Sequence, residues 1–300
     1  MHGRVTSVNP GEVVVTTSDG VHVRVPGDAA GLGDLVTLSE GLAVTVAARN
    51  RSERPLDQQE WPELLVASRR LARRSQATRA VRQWFDGRGF LHVELPYLAA
   101  TPGPAEGTPT PLTAVALQRA LFLSRSALPH LVRLLAAGLP HAWTFAPSFS
   151  LNEFGTHAGY EDWTITWAHS EQDVTSAARD LQALVTCITG RSRPVSALTV
   201  QAALARWSRT APARDQAIRL VEDVEPRLTE LGRALLTDFE DGHQELFIDG
   251  RPVAVVRQLP RADAEPGLGG LANAALRAGV PVGSYVTLRF DALMGSPPLA

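Results

Sequence analysis

The clearest pattern in the 300-residue chain is the alternation of apolar and polar residues between Trp143 and Trp167. Apolar residues stand at every second position at Trp143 and Phe145 and again from Trp163 to Trp167, with a polar, glycine-containing segment between the two runs. A period of two is typical of a strand that buries one face. The pattern predicts an antiparallel hairpin whose long polar tip carries Asn152, Glu153, His157, Glu161 and Asp162.

Residues 1–50 are predicted to form a small β domain. Short apolar runs at 4–8, 12–17, 21–25 and 34–38 have the length of strands, and Asp19-Gly20 is a strong hairpin-turn signal. A barrel remnant that binds RNA is one interpretation, and a structural β module or dimer prop is the other. Few aromatic residues are present for base stacking, which favours the second. A polar linker is expected at 50–59.

A helical period follows this linker. Ala77, Val81, Trp84 and Phe85 share one face of a predicted helix over 64–85, and a strand over 90–96 is expected after it. The remaining predicted elements are a strand at 121–123 and helices at 127–138, 173–188, 195–208 and 217–234.

Composition and charge narrow the function classes. The formal net charge is −2, which provides no overall attraction to nucleic acid. All 29 basic residues are arginine, which excludes a lysine nucleophile or a phosphate-binding lysine. No apolar run has the roughly 20 residues of a membrane helix, and no signal-peptide pattern is present, so we expect a cytoplasmic protein without membrane contact. The lone Cys187 is expected to be buried in a helix.

Three segments resemble class II aminoacyl-tRNA synthetases, and specifically the branch of lysyl-tRNA synthetase and the elongation factor P lysine ligase. Residues 148–153 read Ser-Phe-Ser-Leu-Asn-Glu and residues 162–167 read Asp-Trp-Thr-Ile-Thr-Trp, which resembles motif 2. The predicted helix and strand over 64–96 resemble motif 1, and residues 275–293 resemble motif 3.

The resemblance implies an α+β fold, in which an antiparallel sheet of six or seven strands is flanked by helices. It also implies that residues 60–300 form a synthetase-like catalytic-core domain. The small N-terminal β unit would then be a reduced form of the oligonucleotide-binding barrel with which the synthetases of this branch begin. In the family, the motif 1 helix and strand build the interface of a homodimer, and we expect the same here.

The resemblance fails at charged positions that the family uses for chemistry. Ser150 stands in place of the motif 2 arginine, and Ala292 stands in place of the motif 3 arginine that binds ATP. Leu128 replaces the glutamate that holds the substrate's amino group, and residues 251–256 lack the carboxylate that binds Mg²⁺ and ATP. The resemblance therefore implies degenerate ATP and amino-acid sites.

Three functional hypotheses follow. The first is a synthetase-like protein that does not activate lysine and acts as a binding protein or as the partner subunit of an active synthetase or pathway enzyme. The second is an ATP- and Mg²⁺-dependent amino-acid ligase that forms an aminoacyl adenylate for a protein, carrier, tRNA or small-molecule acceptor. Its cationic clamp would come from Arg125, Arg257 or Arg289. The third is a tRNA-binding module, against which the near-neutral charge argues.

No catalytic residue is assigned from the sequence. The expected ligand-pocket residues are Ser150, Asn152, Glu153, Glu161, Trp163, Phe247, Arg257 and Arg289. His157, Glu161 and Asp162 lack a repeating ligand spacing, so no metal site is predicted among them.

Overall fold

The computed structural model describes most of the chain in two compact units, residues 1–76 and 77–300. The described residues are 2–17, 21–27, 30–39, 43–51, 60–99, 111–114, 119–124, 126–149, 161–192, 194–207, 234–238, 243–248, 251–259 and 283–294. Three predicted segments lie outside the described residues: the tip of the hairpin, the Asp19-Gly20 turn and the helix expected at 217–234. The exceptions are Glu161 and Asp162 of the tip and Ala234 of the expected helix, which are described.

Strands and helices alternate along the described residues as follows. The strands are β1 (His2–Asn9), β2 (Glu12–Thr17), β3 (His22–Pro26), β4 (Leu35–Leu38), β5 (Val44–Ala48), β6 (Leu91–His92), β7 (Leu98–Ala99), β8 (Pro111–Ala114), β9 (Arg119–Leu123), β10 (His141–Phe149), β11 (Glu161–His169), β12 (Val195–Thr199), β13 (Ala234–Asp238), β14 (Gln244–Ile248), β15 (Arg251–Gln258) and β16 (Ser284–Arg289). The helices are α1 (Glu60–Asp86), α2 (Leu128–Ala136), α3 (Val174–Thr189), α4 (Val200–Trp207) and α5 (Phe290–Met294).

The first unit contains one antiparallel sheet in the order β3-β2-β1-β4-β5. The four strands expected from the sequence are present, and β5 is an additional one. Alternate valines such as Val5, Val13, Val15 and Val36 point to one side and form its apolar core.

A buried carboxylate fastens the loop between β3 and β4 of the first unit to the residues that follow β5. Asp34 accepts hydrogen bonds from the backbone N–H groups of Asn50 (2.7 Å) and Gly31 (2.9 Å) and from the Arg49 guanidinium (3.0 Å). Burial by itself raises the pKa of Asp34, but these donors outweigh it and hold the pKa below its ordinary value of 3.8.

The second unit is organised around an eight-stranded sheet in the order β12-β13-β14-β15-β16-β11-β10-β6. A smaller sheet has the order β7-β9-β8. The α+β class with a sheet flanked by helices is confirmed, but the main sheet has eight strands where six or seven were expected. It is antiparallel except at its two ends, where β12 pairs with β13 and β6 with β10 in parallel.

Three further expectations are wrong in detail. The helix predicted at 195–208 is strand β12 followed by α4, because Val195–Thr199 finds a pairing partner in β13 and this pairing overrides the helical pattern. The strand expected at 90–96 is confined to β6. Cys187 is exposed, not buried, because it lies off the face of α3 that carries Leu181 and Leu184.

The hairpin β10–β11 has an aromatic face, defined by Trp143, Phe145, Ile165 and Trp167, that packs against α1. Trp143 lies directly opposite Trp167, and the Phe85 ring of α1 stacks on Trp143 at 4.4 Å between ring centroids. Phe85 also meets Trp167 edge-on at 5.4 Å. Such pairs add to the area that aromatic rings bury. This contact explains why the α1 face predicted from the 3.6-residue period is buried.

Two histidines pair directly at the open end of this hairpin. The rings of His141 and His169 lie 5.2 Å apart with 24° between their planes. His141 Nε2 donates to the Gly89 carbonyl oxygen (2.8 Å), and His169 Nδ1 accepts from the Glu171 backbone N–H (3.1 Å). Burial, reinforced by His141, lowers the pKa of His169 below 6.5, while Glu171 and Asp180 oppose this shift.

Candidate functional site

The side of the main sheet opposite the aromatic face carries a row of polar residues, and we call this side the polar face. The register places Thr144, Thr166 and Thr287 directly opposite one another on β10, β11 and β16. Through Val255 of β15 the row continues to Glu245 of β14 and Thr237 of β13. Thr144, Thr166 and Thr237 are 2%, 1% and 0% exposed. Among the described residues, the Thr237 hydroxyl has no hydrogen-bond partner.

A small cleft opens at one end of the polar face. It lies between β10, β11, the residues before β7 and the residues before α2, and it has room for about one water-sized group. Its described hydroxyl lining is Tyr97, Ser124, Ser126, Ser148 and Thr164, and its apolar lining is Leu95, Pro96, Ala127, Ala146 and Pro147. No charged side chain belongs to this described lining.

Local hydrogen bonds fix three of these hydroxyl groups. The Ser124 hydroxyl donates to the Ser126 carbonyl oxygen (3.3 Å), and the Thr164 hydroxyl donates to the Ala146 carbonyl oxygen (3.2 Å). Ser126 Oγ accepts from the backbone N–H of Leu128, the first residue of α2 (3.2 Å). A hydroxyl has one donor and two acceptor lone pairs, so each of the three keeps capacity for a further hydrogen bond.

A charged pair lies beside the cleft on the polar face. Arg289, the last residue of β16, pairs with Thr164 of β11, and its Nε donates to Asp162 Oδ2 at 2.7 Å. The Arg289 side chain is 44% exposed. The ion pair therefore stands at the edge of the polar face, where solvent screens it.

Helix α5 is fastened to the same strand by a second carboxylate. Asp291 is buried, and its Oδ2 accepts from the Trp163 backbone N–H at 2.9 Å. This bond fixes the direction in which the chain leaves β16. Arg289 lies before Asp291 in the sequence and Ala292 lies after it, so the bond also helps to position these two residues.

The remaining expected pocket residues are dispersed over the second unit. Glu161 is half-buried at the start of β11 opposite Phe149, and Arg257 is half-buried on β15 opposite Tyr285. Trp163 lies on the aromatic side, with its ring 4.9 Å from that of Phe145. Phe247 is buried in an apolar cluster with Val200, Ala203 and Leu235, and it does not line the cleft. Ser150, Asn152, Glu153, Arg125 and His157 lie outside the described residues.

Two positions at which the family resemblance expects charge are packed among apolar residues. Leu128 is buried in a cluster that includes Leu131 of α2 and Ala168 of β11. Ala292 is partly buried and packs against the main apolar core.

Sequence reasoning did not place Ser124, Ser148 and Thr164 among the expected pocket residues, although all three line the cleft. A signal for Thr164 was present, because Thr164 and Thr166 are the polar partners in the alternation that identified the hairpin. Ser124 and Ser148 meet only through the tertiary structure, and the pattern along the chain contains no sign of this.

The described residues contain no group of three or more histidine, cysteine or acidic side chains that could hold a metal ion. Within the same residues, no helix has both the length and the hydropathy that a membrane span requires.

Comparison with known proteins supports the class of fold. Residues 64–160 match the family described as tRNA synthetases class II (D, K and N). The fold is similar to that of asparaginyl-tRNA synthetase from Pyrococcus horikoshii complexed with asparaginyl-adenylate, with a TM-score of 0.72 and 15% identity over 98% of this chain and 90% of that chain. The chain therefore has the class II synthetase fold, and its placement in the lysyl branch is not confirmed.

Proposed function

We propose that this chain is a class II synthetase-like protein that binds a small amino-acid-like ligand and does not activate lysine or form an aminoacyl adenylate. One observation carries the proposal. Leu128 and Ala292 replace a substrate-binding glutamate and an ATP-binding arginine of the resembled family, and both side chains pack among apolar residues. Neither position contributes a charge to a reacting phosphate or amine.

The electrostatic demands of adenylation support this reading. Negative charge develops on the α-phosphate in the transition state, and positive groups must already be in position to stabilise it. Removal of one such group typically costs about 10²–10³ in rate. Ser150 and Ala292 both lack the guanidinium of the resembled motifs, so the combined loss places adenylation outside a useful range.

Among the described residues, Arg289 is the cation of the polar face that lies opposite the cleft residue Thr164. Its Nε is engaged by Asp162 at 2.7 Å, and this carboxylate offsets the charge that the guanidinium would offer to a triphosphate. Because Arg289 is paired in this way, it is a weak substitute for the missing arginines, and this supports a protein that binds its ligand without adenylation.

We further propose that the chain forms a homodimer, or pairs with an active relative, through the surface around β6. This short segment exposes three large side chains, Leu91, Tyr97 and Leu98, and β6 is one of the two edge strands of the main sheet in the described part of the chain. Exposed apolar groups at a strand edge favour association with another chain. The pairing with a relative would supply the catalytic charges that Leu128 and Ala292 lack. We also propose that the protein acts in the cytoplasm.

A second candidate function is the ATP- and Mg²⁺-dependent amino-acid ligase. The exposed part of the Arg289 guanidinium favours it, because this group adjoins Thr164 and the cleft. In this alternative, Asp162 orients the guanidinium toward a phosphate, and Arg257 adds a cation further along the polar face.

Amino-acid-dependent exchange of labelled pyrophosphate into ATP separates the two functions. The purified chain is tested with each of the 20 amino acids, beside an active class II synthetase. We expect no exchange above that of ATP alone. Exchange with any amino acid at a rate within about 100-fold of the active enzyme would establish the ligase, because the loss of even one stabilising donor costs that much. Arg289→Gln should then abolish it.

A further inference from the structure

We propose that the stacked rings of His141 and His169, which we call the histidine latch, hold β6 in an acid-sensitive way. In mild acid the latch frees residues 89–93 from the hairpin while the rest of the main sheet stays paired. The latch concerns one edge of the sheet and does not require a ligand on the polar face. Because β6 is also the surface proposed for association, one consequence rests on the proposed function: acid should weaken that association.

Strand β6 is attached to the sheet by few backbone contacts. Its two residues, Leu91 and His92, pair in parallel with Ala142 and Trp143 of β10. One more hydrogen bond joins the Val93 N–H to the Trp143 carbonyl oxygen at 2.9 Å. In the described part of the sheet, β6 has a neighbouring strand on one side only. A segment held by so few bonds opens more easily than the core of a fold, so its side-chain contacts matter.

The two imidazole rings supply side-chain contacts at the start of β6. His141 Nε2 donates to the Gly89 carbonyl oxygen at 2.8 Å, which fastens the turn between α1 and β6. The buried Phe90 ring follows this turn. It lies 4.8 Å from the His141 ring and 6.0 Å from the His169 ring. Movement of either ring therefore removes support from the residues that lead into β6.

The hydrogen bonds of the two rings leave no suitable place for another proton. Because His141 donates from Nε2, a second proton would go on Nδ1, which is buried and has no partner among the described residues. His169 Nδ1 accepts from the Glu171 backbone N–H at 3.1 Å, so a proton there would face another donor. The rings lie 5.2 Å apart, so two positive charges would also repel each other. The closed latch therefore requires neutral rings.

The carboxylates near the latch do not reverse this requirement. Burial lowers the pKa of His169 below 6.5, and the neighbouring His141 adds to the shift. Glu171 and Asp180 oppose the shift without cancelling it. Asp180 already accepts a hydrogen bond from Gln172 Nε2 at 2.6 Å.

His92, within β6 itself, has the same preference for the neutral form. Its ring lies 4.5 Å from that of Trp143. Burial lowers the pKa of His92 below 6.5 and Arg82 of α1 adds to the shift, while Glu94 and Asp86 oppose it. Both ends of the segment therefore resist protonation while it is closed.

Opening should become more favourable as the pH falls. In the open form, His169 and His92 regain the ordinary pKa of 6.5, so this form binds protons that the closed form does not. The closed form is therefore fully favoured above about pH 6.5 and loses this advantage as the pH drops toward the native pKa values. Each proton taken up changes the opening equilibrium by at most about tenfold per pH unit.

Hydrogen exchange of the full chain, measured by mass spectrometry from pH 8 to pH 5 and corrected for intrinsic exchange rates, tests the latch. Peptides that cover residues 89–93 should lose protection below about pH 6.5, by at most about tenfold per pH unit for each proton. Peptides from β14 and β15 are the internal reference and should keep their protection. Constant protection at 89–93, or an equal loss in β14 and β15, would overturn the proposal.

Substitution of the two histidines connects the response to the latch. His141→Gln and His169→Gln introduce amides that donate and accept hydrogen bonds but do not titrate. The double variant should lose most of the acid response at 89–93, and His92 should account for the remainder. His130→Gln is the matched control, because His130 on α2 also has a pKa lowered by burial but takes no part in the latch. A full response in the double variant, or its loss in the control, would refute the latch.

NMR of the imidazole nitrogens in the unaltered chain provides the measurement if the double variant does not fold. His169 should titrate over the same pH interval in which residues 89–93 lose protection. Titration of His169 outside this interval would count against the latch.

Sedimentation velocity at pH 8 and pH 5 separates the latch from the proposed association. A dimer that dissociates in acid in the unaltered chain, but not in the double variant, would support both. A monomer at pH 8 whose residues 89–93 still open in acid would refute the dimer and leave the latch standing. A dimer without the exchange response would refute the latch alone.

Discussion

The Nε of Arg289 and the Oδ2 of Asp162 lie 2.7 Å apart, although 127 residues separate the two side chains in sequence. Strand β16 places Arg289 opposite Thr164, and β11 places Asp162 two residues before that threonine. The pair therefore adds a side-chain link between the neighbouring strands β16 and β11 beside the cleft.

Asp162 and Arg289 should show a small coupling energy. Arg289 is 44% exposed, so solvent screens the pair, and a double-mutant cycle of Asp162→Asn with Arg289→Gln should give about 0.2–1 kcal/mol by urea denaturation. The matched control is the more exposed pair of Arg24 and Glu12, whose charged atoms are 3.6 Å apart. Its coupling should be close to zero, and an equal coupling for both pairs would contradict the effect of geometry.

Asp34→Ala should destabilise the first unit by about 1–3 kcal/mol, because the backbone N–H groups of Gly31 and Asn50 lose their acceptor. The lowered pKa of Asp34 means that the unfolded chain binds its proton first. The contribution of Asp34 is therefore present above the unfolded pKa of 3.8 and is lost as the pH falls through the lower native pKa. Urea titrations at pH 7 and below pH 3.8 measure this. The prediction would be refuted if Asp34→Ala lowered the free energy of unfolding by as much in acid as at pH 7.

His169 should make the second unit less stable in mild acid. Because its native pKa lies below 6.5, the unfolded chain binds protons that the native chain does not, so stability falls as the pH drops from about 6.5 toward the native pKa. His169→Gln should make the stability–pH curve flatter between pH 7 and 5. His92 and His130 also have lowered pKa values, so part of the slope should remain. An unchanged slope would show that His169 contributes nothing to it.

Association through β6 should depend on its exposed apolar residues. Leu91→Glu combined with Leu98→Glu should convert a dimer into a monomer in sedimentation velocity, because charges replace the apolar surface that the interface buries. Val21→Glu introduces the same charge in the other unit, at the exposed residue just before β3, and should leave the dimer intact. A monomeric unaltered chain would exclude the homodimer.

Local patterns were sufficient for much of the fold. The period of two identified the hairpin β10–β11, and the period of 3.6 identified the buried face of α1 that carries Val81 and Phe85. In each case, one face of the element is buried in a core. The spacing of apolar residues within that element is therefore enough to predict its type and its buried face. Strand β12 was predicted as part of a helix because five residues are too few to distinguish a period of two from a period of 3.6. Its pairing with β13 determines that it is a strand.

The candidate site was less accessible to sequence reasoning. The Arg289–Asp162 pair and the row from Thr144 to Thr237 depend on strand register across the whole sheet, which is a property of the tertiary structure. Motif resemblance did indicate that residues near 126, 148 and 162 would be important. It did not distinguish a pocket residue from a core residue, as the buried position of Phe247 illustrates.

The buried hydroxyl of Thr237 should limit the thermostability of the second unit. Its oxygen is fully buried without a partner in the described part of the chain, and an isosteric methyl group would avoid the associated desolvation. Laboratory evolution for heat resistance should therefore replace this threonine with valine.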